Sequence, residues 1–192
     1  MTRPLPLALL AALALSGCIS FGAEPPDQLL TLMPAQKVAA GTTQTVTAGE
    51  AITVLWPGMP ADLNTTRVPV QATPTSVAYV KNAQWSDTPN KLFARLLAET
   101  IEARTGHPVL SPRQFTLDPG TRLSGQLERF GIDASPQQAV VVFDAAVARG
   151  ADIRTRRFEA RVPVAAIEAQ AVGAAINQAA NQVAAEVADW LK

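Results

Sequence analysis

Residues 138–162, QAVVVFDAAVARGADIRTRRFEARV, decide the fold. The first half is a β-branched apolar run and predicts a strand over 138–148. Gly150-Ala151-Asp152 predicts a turn, and 153–162 predicts a second strand. A strand sends alternate side chains to opposite faces. Ile153, Thr155, Arg157, Glu159 and Arg161 therefore share one face, and Arg154, Arg156, Phe158, Ala160 and Val162 share the other. That much charge suits a wet sheet face or a sheet edge. Upstream, 122–132 predicts a third strand, joined through the turn Asp133-Ala134-Ser135-Pro136. Leu123 and Leu127 lie out of phase with Phe130 and Ile132, so this strand requires a bulge or a twist. Together the three strands make an antiparallel meander.

Two amphipathic helices flank this unit in sequence. Asp87 or Thr88 can cap the first, and Pro89 suits its first position. Leu92, Phe93, Leu96, Leu97 and Ile101 make one apolar stripe, and Gly106 ends the helix. The second runs over 165–191, with Val172, Ile176, Ala179, Val183, Val187 and Trp190 recurring every third or fourth residue. Earlier, 28–32 (QLLTL) predicts a short strand and 51–56 (AITVLW) a buried one. Residues 67–71 predict an edge strand that tolerates Pro69, and 76–80 another strand. The Thr- and Ala-rich stretch between the first two has no firm period and reads as a long connection. Residues 108–110 extend briefly. The expected class is α+β: a largely antiparallel sheet with two main helices packed on one face.

The chain begins MTRPLPLALLAALALSGCISFG. Arg3 gives a positive start, Leu5 to Leu15 an apolar run, and Ser16-Gly17 small residues before the only cysteine, Cys18. A run of about eleven apolar residues falls short of the roughly 20 needed to span a bilayer as a helix. The segment reads as a cleaved leader over 1–17. Leu-Ser-Gly-Cys resembles the lipobox of bacterial lipoproteins, which implies diacylglyceryl attachment at the Cys18 sulfur and acylation of the new amine. More than one acyl chain gives stable anchoring. Residues 18–27 then form the acylated N-terminus and a tether held extended by Pro25 and Pro26. Ile19 and Ser20 follow the cysteine in place of the aspartate that retains such lipoproteins in the inner membrane. The resemblance therefore implies the periplasmic face of the outer membrane. Residues 28–192 are expected to form a single periplasmic domain.

Composition excludes several function classes. Lys+Arg and Asp+Glu are 16 each, so no basic excess favours nucleic acid. Hydrophobic residues make up 48% and aromatics 5%, so the core is built mainly from Ala, Val, Leu and Ile. No disulfide supports it, since there is one cysteine. His107, the single histidine, follows a helix C-terminus and reads as a surface residue. One histidine and one leader cysteine provide no metal set, and none of the common hydrolase, zinc, P-loop or dinucleotide motifs occurs. No cofactor and no catalytic residue are expected. Asp144 interrupts an apolar strand and reads as a solvent-face residue. The run Arg154 to Arg157 could meet lipid phosphates or an acidic partner, but a strand splits it between two faces. Asn64-Thr65-Thr66 matches a glycosylation acceptor that a bacterial lipoprotein would not normally use.

The order of features resembles the ABC-type transport auxiliary lipoproteins, the group that includes PqiC-like proteins. The positions that carry the likeness are Pro60, Leu63, Arg67, Val68, Tyr79, Asn82 and Trp85, followed by the helix from Leu92 to Ile101. The meander and the Ala-rich last helix follow in the same order. QLLTL lacks the tyrosine frequent in that family's first strand, and no aromatic stands near Ala61. The resemblance implies a non-catalytic component of a lipid-transport system, partnered by an MCE-domain protein and a permease. It would dock the periplasmic tunnel or hand over lipid at the outer membrane. Phospholipid and further copies of the chain are additional partners left open. Trp85 and Tyr79 read as core anchors between strand and helix. A rival reading is an independent periplasmic lipid-binding carrier or envelope assembly factor.

Overall fold

The computed structural model describes residues 28–47, 49–111, 113–114 and 120–192. The leader, Cys18 and the tether lie outside the described residues. Among those described are seven strands and two helices. They are β1 (Ile52–Val54), β2 (Arg67–Thr73), β3 (Ser76–Gln84), α1 (Pro89–Thr105), β4 (Val109–Leu110), β5 (Thr121–Asp133), β6 (Gln138–Arg149), β7 (Asp152–Pro163) and α2 (Ala169–Leu191). All seven strands form one sheet.

The meander is the frame. β6 pairs antiparallel with β5 along one side and with β7 along the other. The register of β5 shifts between Leu127 and Arg129. This shift returns Phe130 and Ile132 to the side of Leu123 and Leu127, and all four are buried. The phase break in the sequence is thus a bulge. The opposite edge of β5 is shared by two earlier strands, both parallel to it: β1 at Thr121–Leu123 and β2 at Ile132–Asp133. β4 adds in parallel outside β1, and β3 antiparallel outside β2. The class is α+β as expected, and the sheet is mixed.

Several expectations change, and β3, expected over 76–80, runs on to Gln84. β2 lies between β3 and β5, so it is no edge. Pro69 is accommodated because the β2–β3 register shifts between Arg67 and Pro69, and the ladder to β5 begins only at Val70. QLLTL makes a single bridge, Leu30 to Trp85, because the main chain beyond it bonds to helix side chains. β1 ends at Val54, and Trp56 stands 58% exposed, since the two-residue β4 reaches only Ile52 and Thr53. α2 starts at Ala169, because β7 runs to Pro163 and the Val164 N–H still bonds to the Gln137 carbonyl.

Both helices cover one face. Thr88 has extended dihedrals ahead of Pro89, and Gly106 closes α1 in the left-handed region (φ 75°), its N–H donating to the Glu102 carbonyl. Phe93 meets Phe143 at 5.2 Å and Phe130 at 6.3 Å between centroids, and Trp85 meets Phe130 at 5.4 Å. The two Phe93 contacts, edge-on to Phe143 and tilted to Phe130, join α1 to the sheet. α2 buries Val172, Ile176, Ala179, Val183 and Val187 completely. Its small residues Ala180, Ala184 and Ala188 are equally inaccessible and let it lie close to its neighbours.

Candidate functional site

The helix-free face of the meander carries two clusters of paired charge. β6 sends Ala139, Val141, Phe143, Ala145 and Val147 to the core. Its alternate residues Val140, Val142, Asp144 and Ala146 point the other way. Asp144 stands opposite Arg157 of β7 in register. The guanidinium donates to both carboxylate oxygens, Nε to Oδ1 at 2.6 Å and Nη2 to Oδ2 at 2.5 Å. This fork holds the Asp144 carboxyl below its ordinary range and Arg157 above its own. A second cluster lies at the other end of the meander. Asp133 accepts from Arg161 Nη1 at 3.0 Å and from Arg129, and Arg161 Nε donates to Glu159 at 2.5 Å. Glu159, then Asp133, keep the Arg161 guanidinium above its usual range.

Between the clusters, Val140 faces Gly131 and Arg161 in register, and Val142 faces Arg129 and Glu159. Both valines are nearly inaccessible although no helix covers them. Long arginine stems beside them supply apolar cover while the heads stay in water. Ser124, Gln126, Asp144, Ala146, Thr155 and Arg157 line an open groove on this face. The surface is therefore an open, largely polar one whose charged side chains are held in pairs. Such a face can recognise a partner by shape and hydrogen bonds; it brings together no nucleophile with a base. Among the described residues, no three His, Cys, Asp or Glu side chains group as metal ligands. No described helix is long and apolar enough to cross a membrane.

The arginine run divides as the strand period requires. Arg157 joins the open face. Arg154 and Arg156 lie on the helix side, over the rings of Trp190 (5.2 Å) and Phe158 (4.8 Å). β7 pairs only with β6, so it is a sheet edge. Trp85 is 1% exposed and is a core anchor. Tyr79 is half-buried, with the Arg67 guanidinium 3.9 Å from its ring centroid and its hydroxyl donating to the Asp62 carbonyl at 3.4 Å. His107 is half-buried beyond α1, its main-chain N–H donating to Thr105 Oγ1 at 3.2 Å. Asn64 is exposed in the turn before β2. These residues are scattered and form no common site. Sequence reading missed the exposure of Trp56; the Pro57-Gly58 turn after it was the available signal that the strand stops short.

A family model described as ABC-type transport auxiliary lipoprotein component matches residues 29–188. Among solved structures, an uncharacterised protein superposes with a TM-score of 0.67 at 13% identity, covering 78% of this chain and 97% of that one. Protein XCC0632 from Xanthomonas campestris, described with family model DUF330, gives 0.63 at 19% identity, covering 86% and 92%. At these identities the likeness is one of fold. Curated proteins give no match. The matched span takes in every described strand, all of α1 and α2 up to its last three residues, and the chain belongs to the family of ABC-type transport auxiliary lipoprotein components.

Proposed function

We propose that the protein is an outer-membrane lipoprotein anchored through Cys18, with 1–17 removed as a signal peptide, 18–27 as tether and 28–192 as one periplasmic domain. In this role it docks the periplasmic end of an MCE tunnel protein served by an ABC-type permease, or hands over lipid there, and performs no catalysis. The observation that carries the reading is the family match over 29–188 directly downstream of Leu-Ser-Gly-Cys. The charge-balanced open face supports docking, because its charged side chains already hold one another and lose little further freedom on contact.

The test is membrane fractionation and co-purification. Cys18→Ala is expected to leave a folded domain in the soluble fraction and to abolish transport-dependent growth under envelope stress. Wild type is expected to pull down an MCE-domain protein. Full function from the soluble variant would defeat the anchoring requirement. A purified domain that carries stoichiometric phospholipid in native mass spectrometry and captures no MCE protein would favour an independent carrier.

A further inference from the structure

Isolated exposed apolar side chains are common and mean little. Trp56 differs in its setting. The residue is 58% exposed two positions past the end of β1, with the Lys91 ammonium 5.7 Å from the ring centroid. Leu55, Ser111 and Arg113 line the same open groove. Arg95, one turn beyond Lys91 on α1, is well exposed. Asp87 pairs with Lys91 at 3.2 Å and with Arg95 at 3.4 Å, and so offsets one of these three positive charges. The patch keeps an excess of two, around an indole that combines an apolar body with an N–H donor. Tryptophan rings favour the headgroup layer of a bilayer for this reason, and nearby cations favour anionic lipid phosphates.

The position of the tether relates this patch to the anchor. The described chain begins at Gln28, and Leu29 beside it is 52% exposed. The Leu30 N–H donates to the Gln84 carbonyl at 2.7 Å, and its carbonyl accepts the Ser86 N–H at 2.8 Å. The Leu30 side chain lies against Gly173 in the first turns of α2. The tether therefore enters the domain where both helices start. From Ser86 the chain runs through Asp87 to Asn90, whose Nδ2 donates to the Pro57 carbonyl at 3.2 Å, and to Lys91 over Trp56. The tether exit and the tryptophan share one end of the molecule. From Cys18 to Gln28 an extended chain reaches about 35 Å at most. A tether of that length holds this end at high effective concentration against the bilayer, so a contact too weak to act alone becomes populated.

We propose that this end of the domain is a second, protein-borne membrane contact: Trp56 enters the headgroup layer of the leaflet that holds Cys18, with Lys91, Arg95 and Arg113 facing lipid phosphates. The contact rests on the anchoring reading above. It fixes the orientation of the domain, with the tether end towards the lipid.

The test uses the full mature lipidated chain in vesicles of phosphatidylcholine and phosphatidylglycerol, with some acyl chains brominated to quench nearby tryptophan. Of the three tryptophans, Trp85 is buried and Trp190 is packed on Phe158. Brominated vesicles are expected to remove up to about a third of the emission, the share of one tryptophan in three. Trp56→Phe is expected to abolish that loss with an unchanged circular dichroism spectrum. Gln at Lys91, Arg95 and Arg113 together is expected to reduce it only where phosphatidylglycerol is present. Equal quenching in wild type and Trp56→Phe, in chains that float with the vesicles, overturns the contact and frees Trp56 for a protein partner or a second copy. Chains that do not float refute the anchor at Cys18, and the contact with it.

Discussion

Asn181 of α2 grips the main chain of Ala35: its Oδ1 accepts the Ala35 N–H at 2.7 Å, while its Nδ2 donates to the nearby Met33 carbonyl at 3.0 Å. One turn earlier, Asn177 Oδ1 accepts the Met33 N–H at 2.8 Å. The polar stripe of the last helix thus replaces a sheet ladder for the N-terminal segment. Asn181→Ala removes both bonds to the segment and is expected to cost roughly 1–2 kcal/mol in urea unfolding. Amide exchange at Ala35 should accelerate, whereas Asn177→Ala should affect Met33 alone.

Two glycines on facing segments should respond differently to alanine. A Cβ on Gly125 would lie 2.1 Å from the Asp144 carbonyl oxygen and 2.7 Å from the Phe143 ring, neither of which can withdraw. Gly125→Ala should cost about 2–3 kcal/mol or more, by overpacking. The three atoms nearest a Cβ on Gly58 all belong to the Gln126 side chain, which can rotate away. The variant Gly58→Ala should stay within about 1 kcal/mol of wild type. Thermal melts of the two variants compare them directly.

Phe93 is the aromatic hinge between α1 and the sheet, fully buried against Phe130 and Phe143. Phe93→Ala is expected to cost about 3–5 kcal/mol, and Phe93→Leu distinctly less, since most of the volume is kept. A loss near zero for the alanine variant would mean that the site collapses around the cavity.

The meander, both helices and the bulge in β5 were legible because they follow from local period and phase. Leu123, Leu127, Phe130 and Ile132 announce the bulge by themselves. The parallel docking of β1 and β2 onto β5 was not legible: an alternating pattern states which face is buried and says nothing of which strand lies beside it. Trp56 was read as buried because its cover depends on β4, whose two-residue length no period encodes. QLLTL has the side-chain pattern of a strand, and Leu32 is indeed buried. Its backbone partners are Asn177 and Asn181, more than a hundred residues away, and nothing local points to them. Of the open face, the solvent-face position of the half-buried Asp144 and the split of the arginine run were readable; the fork between Asp144 and Arg157 needed the β6–β7 register.

Acid should weaken the fold through a few carboxylates. The Asp144 carboxyl is held below its ordinary value by the Arg157 hydrogen bonds, and Asp189 by those of Arg104 and Lys192. The Thr88 N–H, then Lys91, does the same for Asp87. A depressed carboxyl contributes stability that is fully present above its unfolded value and is lost as pH falls through the folded one. Urea midpoints should therefore drop from about pH 4 downwards, and less steeply in Asp144→Asn. Glu102 has the opposite sign: burial, then Glu99, raises its carboxyl, so its charge opposes folding at neutral pH. Glu102→Gln should gain stability at neutral pH, and the gain should vanish in acid.

The sharing of one edge of β5 by two earlier strands has a consequence for the order of events as the chain emerges. β1 and β2 have no ladder with each other, and both wait for a strand that begins at Thr121. Until then the named strands of the leading half share only the β2–β3 hairpin and the short β1–β4 pair, and long-range closures of this kind are slow. If the chain is exported unfolded, as the proposed signal peptide requires, that delay is written into its strand order. Release of a fragment ending before β5 should yield no cooperative domain, however long the wait.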